Sequence, residues 1–294
     1  MKGMVGAFIK NQFRTTLPGT PKGTDLTGRL AIVTGASSGL GLESARQMLA
    51  LGLSHLVIPV RSLKRGQTAA SQLQAANPKA KIDVWPLEME SYQSIQAFVR
   101  RCDAELPPID VVVLNAGIAE TDFGVVPSTG HEKTIQVNYY STMLLAVLLL
   151  PILKTKAIAG TPPRITVVNS AMAYVSSFPN RSKRPLLASF DDTKITPWDP
   201  LERYNSSKLL GQLFLTRLTD RVSPEDVTIN MVEPGLTSTS LFRNSRGLRG
   251  AIFDLIKSAS ARPVEVGALT YIDAAVVKGK ESHGCFLVNC EIAP

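Results

Sequence analysis

Tyr204 and Lys208 stand four residues apart, a spacing that sets both side chains on one face of a helix. A free phenol ionises near pH ~10 and exchanges protons poorly at neutrality, whereas an ammonium fixed beside it stabilises the phenolate and lowers that value. The pair can therefore do general acid–base work on an oxygen atom. The same spacing also suits a lysine that snorkels past a half-buried tyrosine, so the reading depends on what surrounds it.

A second cluster is Thr34-Gly35-Ala36-Ser37-Ser38-Gly39-Leu40-Gly41, which follows an apolar run and opens a helical pattern. Gly35 permits a tight turn, Gly39 lets backbone amides approach a pyrophosphate, and Gly41 lets the helix pack close to a sheet. The helix N-terminus then favours the anion. An ordinary strand-to-helix turn would use the same glycines. Arg61 ends the next apolar run, with no Asp or Glu between His55 and Arg65. An acid at that place bonds the adenosine ribose hydroxyls of NAD, and an arginine takes the 2′-phosphate of NADP. Arg61, with Lys64 or Arg65 in support and Ser37 as an added hydroxyl, points to NADP(H); the alternative is an exposed helix-cap arginine.

Elements that must position these groups follow from periodicity. Apolar, β-rich runs at 30–34, 55–60, 81–86, 111–115, 165–169, 228–233 and 284–288 predict seven strands, and amphipathic or apolar stretches at 40–51, 63–76, 91–105, 132–150, 204–221 and 263–277 predict the helices between them. The alternation predicts an α/β class, single-domain Rossmann fold: a doubly wound, seven-stranded, mostly parallel sheet with helices on both faces. Residues 1–27 read as an N-terminal arm and 28–294 as the catalytic domain. Within it, 178–203, with Pro179, Pro185, Pro197 and Pro200, reads as a long substrate loop.

Taken in order, Gly35-x-x-x-Gly39-x-Gly41, Asn115-Ala116-Gly117, Asn138, Ser170, Tyr204-x-x-x-Lys208 and Pro234-Gly235 resemble the short-chain dehydrogenase/reductase family. Val60-Arg61-Ser62 and Glu281-Ser282-His283-Gly284 resemble its retinol-dehydrogenase-like branch and the fungal reductases of secondary metabolism. The resemblance implies hydride transfer between a nicotinamide and a carbonyl, with Tyr204 as proton donor, Ser170 polarising the oxygen, and Asn138 holding a water that relays protons to Lys208. Asn138 can instead satisfy a neighbouring backbone. It further implies that Gly35, Ser37, Ser38, Gly39, Leu40 and Gly41 cradle the dinucleotide, with Glu88 and Met89 at the adenine. Asn115, Ala116 and Gly117 then lie by the ribose, Lys208 on the nicotinamide ribose with Tyr204 also against the cofactor, and Pro234, Gly235 and Thr239 or Thr237 at the carboxamide. Asn115 and Gly117 can also simply close the turn after their strand. The chain departs from the family in having Asn169 where a first serine is usual, and in the insertion at 178–203. Ser176 and Ser177 are thereby nearer Tyr204 than Ser170 is, but Ser170 sits at the carboxyl end of a strand, where ligands bind in such sheets.

Composition bounds the rest. The chain has 294 residues, 44% hydrophobic and 19% charged, with a net charge of +8. Its basic residues are scattered and match no nucleic-acid motif, so no nucleic-acid partner is expected. Three cysteines without ligand spacing suggest no metal site and a reducing, cytoplasmic compartment. The longest apolar run, 143–153, is interrupted by Pro151 and falls short of the ~20 residues of a membrane span, so it predicts a buried helix. The family resemblance implies a substrate lid at 236–262, where Leu241, Phe242, Leu248, Ile252, Phe253, Leu255 and Ile256, with Trp198 and Phe190 opposite, suggest a hydrophobic ketone or aldehyde, of a polyketide-like or terpenoid kind. Two other readings remain: an NADP(H)-binding sensor or scaffold without turnover, and dehydration or epimerisation on the same fold. The chain can be a monomer, or a homodimer packed through the 138–150 helix.

Overall fold

The structure is a computed structural model and describes residues 15–237 and 261–293. Two all-aliphatic strands, β1 (Leu30–Val33) and β4 (Val111–Leu114), are buried along their whole length and pair in parallel at the centre of the sheet. Such runs suit strands covered on both faces. On one side lie β2 (His55–Val60) and β3 (Lys81–Pro86); on the other lie β5 (Arg164–Val168), β6 (Thr228–Glu233) and β7 (Phe286–Val288). The order is β3-β2-β1-β4-β5-β6-β7, with β8 (Glu291–Ile292) beyond β7. It reverses direction between β1 and β4, which opens a crevice at the carboxyl ends of the strands.

The sheet has eight strands, one more than expected. The extra strand β8 (Glu291–Ile292) runs antiparallel to β7 after a turn in which Asn289 and Cys290 have φ of 54° and 65°. Two exposed residues carry no periodicity, so this strand has no signature of its own.

Helices α1 (Gly39–Ala50), α2 (Leu63–Ala76), α3 (Tyr92–Glu105), α4 (Lys133–Lys156), α5 (Pro200–Thr219) and α6 (Val264–Ile272) cover both faces. Phe98 of α3, Leu145 and Leu149 of α4 and Leu215 of α5 pack on one face. Met48 of α1 and Tyr271 of α6 pack on the other. Helix α5 starts at Pro200, four residues before the expected start at 204. Asp199 caps it, its Oδ1 accepting from the amides of Leu201 and Glu202 at 2.9 and 3.0 Å, and a proline is at home in the first turn. Helix α4 runs past the expected end at 150 to Lys156, carrying Pro151 in its interior. By length and composition alone α4 could cross a membrane, yet Met143, Leu145, Leu149 and Leu153 lie in the core. Within it Gln136–Ser141 forms a π-helical turn, and Asn138 sits there. The last part of the arm packs on the body: Leu17 and Leu26 are buried, and the Leu26 amide donates to Leu51 O at 2.8 Å.

Candidate active site

At the first turn, Gly35 and Gly39 have φ of +69° and +58°, the left-handed region glycine adopts without steric cost. A Cβ on Gly41 would stand 2.5 Å from Asn115 Nδ2 and 2.9 Å from Gly35 O, which explains the glycine. Asn115 lies across the turn: Nδ2 donates to Thr34 O at 2.8 Å, and Oδ1 accepts from the Tyr271 hydroxyl at 3.0 Å. Thr34 Oγ1 in turn accepts from the amides of Asn115 and Ala116, both at 2.9 Å. Asn115 is thus the clamp that joins the ends of β1 and β4. Tyr271 was invisible in the sequence, because nothing in an apolar helix marks which tyrosine reaches back to a turn.

Helix α1 begins at this clamp. Its N-cap Ser38 makes no side-chain cap bond and its first turn holds no acid, so the first amides are left to an anion. The loop carrying Pro234, Gly235 and Thr237 meets α6, as does the start of α1: a Cβ on Gly267 would stand 2.4 Å from Thr237 Cγ2 and 3.0 Å from Leu40 Cδ2, so Leu40 packs against α6. A dinucleotide fits this end: uncapped helix amides, a glycine where backbone must approach, and no carboxylate in the first turn.

Arg61 lies at the end of β2 with its side chain 70% exposed, its Nε 3.9 Å from Glu88 Oε2 and its Nη1 3.9 Å from Glu90 Oε1. The local segment has no acid, but the fold brings two from the turn after β3. Glu88, the residue expected at the adenine, points one oxygen at Arg61 and accepts the Glu90 amide on the other at 3.2 Å. Met89 is buried and its carbonyl accepts from Ser141 of the π turn. Lys64 is exposed in the first turn of α2, whose cap is Ser62, with Oγ 3.4 Å from the Arg65 amide.

Ser170, Tyr204 and Lys208 converge at the ends of β5 and β6. Tyr204 is 5% exposed and hydrogen-bonded to the Ser170 hydroxyl. Lys208 Nζ donates to Val168 O at 3.0 Å and stands 5.7 Å from the centre of the Tyr204 ring. Burial pushes the phenol up, Ser170 works against that rise, and Glu233 adds to it. The lowering expected from Lys208 is therefore not seen: its ammonium is turned to Val168 O, and burial is the largest influence on the phenol. Burial also pulls the Lys208 ammonium down to about 8.

Ser170 leads into a short helical turn and caps it, its Oγ accepting from the Met172 amide at 3.2 Å. Asn169, in place of the usual first serine, accepts the Ser170 amide on Oδ1 at 2.9 Å. Ser176 and Ser177 are held elsewhere. Glu202 Oε1 accepts from Ser176 Oγ at 2.6 Å, and Oε2 accepts from Ser177 Oγ at 3.0 Å.

The Asn138 side chain is fully engaged. Oδ1 accepts from the Ile118 amide at 2.9 Å, while Nδ2 donates to Ile118 O at 2.8 Å and to Ser207 Oγ at 3.0 Å. Its amide therefore satisfies the Ile118 backbone and ties α4 to α5. Gly117 lies beside it; a Cβ there would be 3.2 Å from Asn138 Oδ1 and 3.8 Å from Lys208 Nζ.

Phe190 of the insertion is 1% exposed and packs with Ile135 and Leu210, so it belongs to the core and not to a substrate wall. Trp198 donates Nε1–H to Thr121 O at 3.0 Å and meets Phe123 edge-on at 5.5 Å. Arg203 lies over both Phe190 and Trp198 and 3.7 Å from Glu132, which fastens the insertion to the start of α4. Thr239 and the apolar lid residues from Leu241 to Ile256 lie outside the described residues. Thr237 and Arg262 pair at either end of that segment.

Residues 29–180 match the family described as short chain dehydrogenase. The chain is 48% identical to the short chain dehydrogenase/reductase mfmJ of Annulohypoxylon moriforme over 98% of this chain and 83% of that one. It is 42% identical to the short chain dehydrogenase virL of Hypocrea virens, with the same coverage. Among solved structures, an NADPH-bound short chain oxidoreductase from Pseudomonas aeruginosa PAO1 superposes with a TM-score of 0.66 at 19% identity, covering 90% of this chain and 95% of that one. The L-sorbose reductase of Gluconobacter frateurii, complexed with NADPH and L-sorbose, gives 0.65 at 18%, covering 90% and 97%; these two likenesses are of fold. By its family match and its fungal relatives, the chain belongs to the short-chain dehydrogenase/reductase family of NAD(P)-using oxidoreductases, in the fungal branch.

Proposed function

We propose that the chain is an NADP(H)-dependent oxidoreductase acting on the carbonyl or alcohol of a hydrophobic small molecule, with Tyr204 as the acid–base group and Ser170, Lys208 and Asn138 in support. The observation that carries this reading is a buried phenol bonded to the Ser170 hydroxyl at the carboxyl ends of the strands, the same edge at which α1 presents its uncapped amides. When bound, the dinucleotide supplies the hydride chemistry. The protein supplies position and a proton. Burial keeps Tyr204 a neutral phenol, the form that can hand a proton to a carbonyl oxygen, and Ser170 orients that oxygen. Lys208 uses one N–H on Val168 O and keeps two for the hydroxyls of a ribose. Asn138 holds Ile118, and with it Gly117, beside that ammonium.

Arg61 supports NADP(H) over NAD(H), since a 2′-phosphate can replace Glu88 and Glu90 as its partners. The NADPH bound in the two solved relatives points the same way. The apolar residues in the sequence of 236–262 favour a hydrophobic ketone or aldehyde of a polyketide-like kind, met in the cytosol. A panel of aromatic and aliphatic ketones and aldehydes, each with NADPH and with NADH, tests the reading. Consumption of NADPH with formation of the matching alcohol is expected for the apolar members. NADPH binding without consumption across the panel would favour the non-catalytic sensor, and loss of water from a hydroxylated substrate without cofactor consumption would favour dehydration.

A further inference from the structure

Glu202, in the first turn of α5, has no part in the proton transfer, yet its carboxylate gathers five donors. Oε1 accepts from Ser176 Oγ at 2.6 Å, from Ser206 Oγ at 2.9 Å and from the Phe178 amide at 3.2 Å. Oε2 accepts from the amide and the hydroxyl of Ser177, both at 3.0 Å. All of these donors are neutral, and a carboxylate that only accepts binds them more strongly than a neutral acceptor would. The donors stand where the chain leaves the active site, and Glu202 stands where it returns. Ser170 caps the turn Ala171–Val175, and Ser176 ends it. Phe178 follows at φ 46°, a left-handed conformation that costs a residue with a Cβ, and the chain departs there into the insertion. It re-enters α5 at Pro200, so that Glu202 and Ser206 stand on either side of Tyr204 in the sequence.

We propose that Glu202 is a positioning residue: by closing the neck of the insertion it fixes the turn that carries Ser170 against the helix that carries Tyr204. This rests on the reading of Ser170 and Tyr204 as the groups that meet the substrate oxygen. The insertion is what calls for such a residue. Bringing the ends of a long segment together costs chain entropy, and Ser170 and Tyr204 lie just outside the two ends of this one. A second tie between turn and helix, Gln212 Nε2 donating to the Tyr174 hydroxyl, is longer at 3.4 Å and exposed, which leaves the main hold to Glu202. Burial raises the Glu202 carboxyl, but the bonds from Ser176, the Ser177 amide and Ser206 outweigh it and keep the carboxyl below its ordinary value, so the acceptor is an anion. An amide of the same shape could not replace it. Whichever way Glu202→Gln turned, its N–H would face a fixed backbone donor, that of Ser177 on one side or Phe178 on the other. The Ser177 hydroxyl, by contrast, is dispensable, because the amide of the same residue still holds Oε2.

The test labels the tyrosines with 13C at Cζ and reads the Tyr204 signal at neutral pH, with NADP+ added and no substrate. Tyr204→Phe assigns that signal by its loss, and Ser170→Ala gives the displacement that follows when the serine hydroxyl is gone. In Glu202→Gln the signal is expected to move in the same direction by most of that displacement. In the double variant Glu202→Gln/Ser170→Ala it should move no further than in Ser170→Ala alone, since two residues acting through one contact do not add. A Glu202→Gln signal at the wild-type position, while Ser170→Ala displaces it, overturns the proposal and leaves the acid–base reading standing. Displacements that add in the double variant overturn it too, because Glu202 would then reach Tyr204 by a route other than Ser170. No displacement in Ser170→Ala overturns both readings together. If Glu202→Gln does not fold, Ser176→Ala/Ser206→Ala removes both hydroxyls from Oε1 and must move the signal in the same direction by a smaller amount; an unmoved signal there overturns the proposal.

Discussion

The cofactor end and the chemical end share one edge of the sheet but are built differently. From Thr34 to Gly41 the shape is a matter of backbone: two positive φ values, a helix start without a side-chain cap, and Gly41 pressed against Asn115 and the Gly35 carbonyl. At the chemical end, Ser170 after β5 meets Tyr204 and Lys208 of α5, and burial sets their chemistry by raising the phenol and lowering the ammonium. The first kind of site is written in a few consecutive residues. The second depends on partners distant in sequence. Changes at the cofactor end should therefore act on binding and packing, and changes at the chemical end on turnover.

The largest effect is expected at Lys208. Lys208→Met should lower turnover by about 10³-fold, the scale of losing support for a general acid, measured as NADPH consumption at saturating substrate. It should also stabilise the fold at neutral pH. The folded protein releases this proton at about 8, where an ordinary lysine keeps it to 10.5, so between those values the unfolded chain binds more protons at this site. The wild-type contribution to stability is then least favourable below pH 8 and improves as pH rises to 10.5. Denaturant unfolding should show the variant ahead by on the order of 3 kcal/mol at pH 7, with the gap closing by pH 10. A gap that widens with pH would contradict the burial of an ammonium.

Next is Ser170→Ala, expected to cost about 10²-fold in turnover with NADPH affinity unchanged, whereas Ser177→Ala should leave turnover within about twofold of wild type, since its hydroxyl serves Glu202. Equal losses in both would return the assignment to the nearer serines. At the cofactor end, Arg61→Ala should weaken NADPH by about 10- to 100-fold, the value of one or two charged hydrogen bonds, and leave NADH unaffected in fluorescence titrations. Equal affinities for the two cofactors in wild type would break that side of the comparison. The smallest change is Gly41→Ala, whose methyl must push on Asn115 and the Gly35 carbonyl; a loss of about 1–3 kcal/mol in stability is expected, read from the denaturant midpoint.

The same division accounts for what could be read before the fold was known. Seven strands follow from local periodicity, as do Gly39 and Arg61 at the ends of the first two. Tyr204, Lys208 and Ser170 were legible as types at spacings, and the structure brings them together. What periodicity does not carry is which side chain meets which across the chain. Glu88 and Glu90 reach Arg61 from another strand's end, Glu202 takes up Ser176 and Ser177, and Tyr271 completes the Asn115 clamp. Phe190 looked like a pocket wall because the loop around it has no period, but Arg203 and Ile135 enclose it. The π turn that seats Asn138 likewise leaves no mark in the periodicity of α4.

The central claim is that Tyr204 delivers the proton while the cofactor end works independently of it. Tyr204→Phe, measured in one experiment for NADPH affinity and for the rate of NADPH consumption with a ketone that wild type reduces, tests it directly. The account predicts an unchanged affinity and a rate lower by about 10³-fold. Turnover equal to wild type, with affinity intact, would contradict it.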